Sequence, residues 1–109
     1  MALNIQDLLG PMLDAAKIVV GNKWPTIQTY AEAEMKKVGE KILDIEKMKL
    51  EGSTTDEKAK LLFEMQINAS KTVLLTVQGM TKIMAEQAIN AALGAIRDVA
   101  NKAIGFTLL

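Results

Sequence analysis

Residues 69–106 read ASKTVLLTVQGMTKIMAEQAINAALGAIRDVANKAIGF. Within this stretch Ala69, Val73, Val77, Met80, Met84, Ala88, Ala91, Ala95, Val99 and Phe106 recur at steps of four, four and three, and only Lys102 interrupts the series. Such steps keep one face of an α-helix pointing the same way. The only glycines inside the helical part, Gly79 and Gly94, have no proline, asparagine or serine beside them. A lone glycine weakens a helix without ending it. The pattern therefore predicts one helix over about 55–103, nearly 50 residues and on the order of 70 Å long. The alternative is a break near Gly79, which would give four helices in a compact bundle.

Working back from this stretch, Gly52-Ser53-Thr54-Thr55-Asp56-Glu57 is the clearest turn. Gly52 can close the preceding helix in a left-handed conformation. Thr54 and Glu57 have capping-box spacing, and Asp56 falls near the positive end of the next helix dipole. The preceding helix runs over about 25–50, with a seam of Ala31, Met35, Val38, Ile42 and Ile45 at alternating steps of four and three. Gly39 in its middle costs about 1 kcal/mol against alanine, a cost that close approach of a neighbouring helix would justify. Glu32 with Lys36 and Lys47 with Glu51 are i,i+4 pairs on the outer surface. The short turn makes this helix an antiparallel neighbour of the long one.

The first helix covers about 5–20. Asn4 suits its N-cap, with Asp7 three residues on, and Gly21-Asn22 ends it. Gly10-Pro11 is the difficulty: Pro11 either kinks the helix or is its first residue. Trp24-Pro25 restarts the chain, and Trp24 is read as the anchor that pins the first helix onto the hairpin. The expected fold is thus all-α, a single domain over 1–109: a helical hairpin with a long C-terminal helix, plus a short N-terminal helix.

Composition narrows the function. Thirteen basic residues balance thirteen acidic ones, and aromatic residues are 4% of the chain. Neither a basic stripe nor stacking platforms for nucleic acid are present. There is no cysteine and no histidine, which removes thiol nucleophiles, imidazole bases and the usual structural zinc sites. The N-terminal residues carry no basic segment ahead of an apolar run, so no signal peptide is expected. No stretch of about 20 apolar residues predicts a transmembrane helix. No calcium-loop spacing, glycine-rich phosphate loop or Gly-x-Ser-x-Gly occurs.

The carboxylates Glu32, Glu34, Glu40, Asp44 and Glu46 lie on a lysine-rich helix and read as a solvated face. Glu64 and Glu86 are the only acids deep in apolar sequence, about six helical turns apart if one helix carries both. No catalytic, cofactor or metal site is expected, and the chain is not read as an enzyme.

Charge is uneven: residues 32–64 hold 16 of the 26 charged side chains and residues 65–109 only six. Small residues crowd the end of the chain: Ala85, Ala88, Ala91, Ala92, Gly94, Ala95, Ala100 and Ala103. They permit close helix–helix approach. Leu74, Ala85, Ile89, Ile96 and Ala100 widen the apolar face toward half the helix circumference. A long helix this apolar outruns the cover available from shorter partners. The ten-residue series from Ala69 to Phe106 is therefore the expected oligomer interface. The functional expectation is a non-enzymatic assembly protein, a homo-oligomer or part of a larger protein complex. A membrane surface is the alternative partner, suggested by the amphipathic first helix and the apolar tail Ala103–Leu109.

Overall fold

The computed structural model describes residues 3–109, and the protein is an all-α bundle. Its helices are α1 (Ile5–Val20), α2 (Trp24–Leu50), α3 (Asp56–Leu75) and α4 (Lys82–Ile104). Asn4 caps α1 as its sequence suggests: Asn4 Oδ1 accepts from Asp7 N at 3.0 Å. Pro11 sits inside α1; it is neither the first residue nor the end of the helix.

Helical turns run without a gap from residue 5 to residue 50, but a single 3-10 turn at Gly21–Lys23 folds this stretch back on itself. Gly21 makes the reversal with φ +63° and ψ −124°, a combination that a side chain with a Cβ resists. The return of α1 along α2 is visible at Gly39, where an added Cβ would lie 2.7 Å from Ile5 Cδ1 and 3.9 Å from Leu8 Cβ. Farther along, Leu3 N donates to the Glu46 carboxylate at 3.2 Å.

Gly52 closes α2 with φ +70°. The cap of α3 is one residue later than the sequence spacing suggests: Thr55 Oγ1, not that of Thr54, accepts from Lys58 N at 3.2 Å. Lys49 Nζ bridges this turn to Asp56 Oδ1 at 2.6 Å and lies 5.0 Å from the centre of the Phe106 ring.

The continuous helix expected over 55–103 does not form. α3 stops at Leu75 and α4 starts at Lys82. Two local devices end it. Gly79 adopts φ +85°, which no right-handed helix accommodates. Thr81 then caps α4, its Oγ1 accepting from Met84 N at 3.1 Å and giving that N–H an alternative to a continued helical bond. The break lets α4 return beside α1 and α3, so the molecule measures 42 × 22 × 18 Å. The resulting path is up-down-up-down. The Gly21 turn and the Gly79 loop share one end, where Lys23 Nζ donates to Gly79 O at 2.7 Å. The 51–55 turn and the tail after Ile104 share the other.

The core is one apolar cluster drawn from every helix, including Leu8 and Met12 of α1, Met35 and Ile42 of α2, Phe63 and Leu74 of α3, and Ile89 and Ile96 of α4. Packing is most extensive between α1 and α4 and sparser between α3 and α4. Ala16 on α1 and Ala85, Ala88, Ala92 and Ala100 on α4 are all buried. Small residues on these helices thus serve close packing within one molecule.

Candidate docking surfaces

The ten residues read as one stripe are divided by the break. Ala69 and Val73 are on α3, Val77 and Met80 fall in the 76–81 loop, Met84 to Val99 are on α4, and Phe106 lies beyond it. Val77 and Ala88 are buried in the molecule's own core. Val73, Met80, Met84, Ala91 and Phe106 are half-buried, and Ala69, Ala95 and Val99 are exposed. The buried face of α4 is instead Ala85, Ala88, Ile89, Ala92, Ile96, Ala100 and Ile104. The sequence series therefore runs along the flank of that face. Trp24 is buried at the start of α2, beside the turn from α1.

The outer face of α3 carries a feature that the series only grazes. Leu61 and Met65 are 59% and 60% exposed, and exposed Ala69 follows at the same four-residue step. Half-buried Leu62 and Val73 border the strip, and none of these five residues is charged. The opposite face of the helix supplies Ala59, Phe63, Ser70 and Leu74 to the core. Leu61 was hidden in the run Leu61-Leu62-Phe63, where three apolar neighbours cannot all face inward on a helix.

Two open grooves lie between α3 and α4. The upper, about 410 Å³, is lined by Asn68, Lys71, Thr72, Leu75, Lys82, Ala85 and Glu86. The lower, about 460 Å³, is lined by Phe63, Glu64, Ile67, Asn68, Lys71, Leu93, Leu108 and Leu109. Glu64 and Glu86 therefore stand on different helices, each on its own groove. The tail reaches the lower groove because Asn101 Oδ1 accepts from the backbone N–H of Leu108 at 2.9 Å and of Leu109 at 3.0 Å.

Two carboxylates on α2 depart from the solvated face expected of them. Glu34 is 3% and Glu46 6% exposed. Both have partners, Glu34 in Lys37 Nζ at 3.1 Å and Glu46 in the backbone N–H of Leu3, 43 residues away in sequence. Among the described residues, no buried side-chain polar atom lacks a partner and no group of acidic side chains is placed to hold a metal ion. Among the described residues, no helix is long and apolar enough to cross a membrane. The chain matches no family model, no curated protein and no solved structure.

Proposed function

We propose that this chain is a non-enzymatic helical docking subunit that self-associates through the outer face of α3. The observation that carries the reading is the uncharged strip Leu61–Met65–Ala69, whose two large side chains are more than half exposed on the solvent side of α3. Burying a leucine or methionine of this kind contributes about 1.5–3 kcal/mol. From Leu61 to Val73 the strip is about 18 Å long at the α-helical rise, enough for a second helix to lie along it.

A second copy of α3 fits this strip. In an antiparallel two-fold pairing with Met65 on the axis, Leu61 of each copy faces Ala69 of the other. Large side chains then meet small ones, as interdigitated helix packing requires. One helix face per copy makes a small interface, so the association is concentration-dependent.

Native mass measured by light scattering over a range of concentrations tests this. The expected result is a mass that rises above the monomer as concentration increases, and a Met65→Glu variant that stays monomeric with unchanged helicity. Met65 contributes little to the core, so the variant reports on association and not on folding. A wild-type chain that is monomeric at every concentration overturns the proposal.

A further inference from the structure

The end of the bundle that holds the Gly21 turn and the Gly79 loop differs from the rest in charge. Within about one turn of this end the charged residues are Lys17, Lys23, Lys71, Lys82 and Glu86. The next carboxylates, Asp14 and Glu32, lie about 10 Å or more along their helices from it. The whole chain is neutral, so an excess of positive charge here leaves the remainder negative.

Two of the three most exposed large apolar side chains are at this end; the third, Leu50, is 77% exposed at the other end, among charges of both signs. Ile18 is 82% and Ile83 67% exposed. Each directly follows an exposed lysine in sequence, Lys17-Ile18 on α1 and Lys82-Ile83 on α4. These two helices are the most extensively packed pair of the bundle, so the two lysine–isoleucine pairs occupy neighbouring helices at one end. Both isoleucines leave most of their apolar surface in water.

We propose that this end docks onto an anionic lipid bilayer surface. Ile18 and Ile83 enter the boundary between headgroups and acyl chains, and Lys17, Lys82 and Lys23 lie among the anionic headgroups. Apolar anchors with flanking cations are the combination that holds a protein on such a surface. Nucleic acid would use the cations and leave the isoleucines in water. A second copy meeting end to end would bring two positive ends together. Among the described residues no helix is long and apolar enough to span the bilayer; the proposed attachment is peripheral, and it uses a surface separate from the α3 strip.

Co-sedimentation of the full chain with vesicles tests this, using phosphatidylcholine alone and an equal mixture of phosphatidylcholine and phosphatidylserine. The expected result is pelleting with the mixed vesicles, weakening as salt is raised, and little with phosphatidylcholine alone. Each lysine near the surface is worth about fivefold in partitioning, so Lys17→Gln with Lys82→Gln lowers binding by about 25-fold. Ile18→Ser with Ile83→Ser lowers it by tenfold or more. All four side chains are exposed, so thermal unfolding of both double variants stays at the wild-type midpoint. Wild-type protein that remains in the supernatant with both vesicle types overturns the proposal, as do variants that pellet like wild type. A change in native mass of the isoleucine variant without vesicles also overturns it, because the patch then belongs to a protein contact.

Discussion

Lys23 Nζ and Gly79 O are 56 residues apart in sequence and 2.7 Å apart in space. This bond joins the turn that reverses α1 into α2 to the loop that reverses α3 into α4. It is also the polar link between the two halves of the chain at that end. Gly79 itself is in the left-handed region with φ +85°, and a Cβ there would lie 3.3 Å from the lysine amino group.

Substituting Lys23, which removes the donor, and Gly79, which keeps its carbonyl but alters its backbone, should therefore have unequal effects. Lys23→Met loses one solvent-exposed hydrogen bond, about 1 kcal/mol or less. Gly79→Ala strains the backbone and crowds the lysine together, and should cost about 1–2 kcal/mol. For a chain of this size 1 kcal/mol corresponds to about 4–8 °C in melting midpoint. Thermal unfolding followed by circular dichroism checks the order. Gly79→Ala melting no lower than Lys23→Met would show that the loop does not depend on the glycine.

A second relationship, Gly39 with Ile5, separates glycines that packing requires from one that it does not. A Cβ on Gly39 would meet Ile5 Cδ1 at 2.7 Å, whereas one on Gly94 would meet nothing within 4 Å. Gly94→Ala should stabilise the protein by about 0.5–1 kcal/mol through helix propensity. Gly39→Ala should forfeit that gain to the clash. Combining it with Ile5→Val, which deletes the offending methyl, should recover part of the loss. A double-mutant cycle in urea measures the coupling; strict additivity of the two changes would place Ile5 elsewhere.

The sequence carried the helix content and the boundaries of α1 and α2 because their signals are local. Asn4 acts through its side chain on the backbone three residues on, and the Gly21 turn, Pro25 and Gly52 act through their own backbone. The end of α3 was harder to see. Val73, Val77, Met80 and Met84 continue the helical spacing straight through the loop, so periodicity argues for a helix where Gly79 and Thr81 impose a stop. The stop succeeds because the reversal lets α4 bury Ile89 and Ile96 against the rest of the core, a gain that no local pattern reports.

The candidate surfaces follow the same division. Exposure of Leu61, Ile18 and Ile83 depends on which flank of each helix its neighbours cover. A helix whose apolar residues spread beyond one face leaves that rotation undetermined until the packing is known. The burial of Glu46 likewise depends on the backbone of Leu3 arriving beside it.

That rotation can be measured on α4 with two alanines three residues apart. Ala95 belongs to the series legible in the sequence, yet it is exposed. Ala92 lies outside that series and is 0% exposed in the core. Replacing each by leucine adds the same volume to the same helix with nearly the same propensity, so local effects cancel. Ala92→Leu must displace close-packed neighbours and should cost about 1–3 kcal/mol. Ala95→Leu places its side chain in solvent and should change stability by less than about 0.5 kcal/mol. Urea unfolding of the two variants decides which flank faces inward. The reverse order would turn α4 so that the sequence-read series, and not the Ala85–Ala92–Ile96 face, lies against α1 and the core.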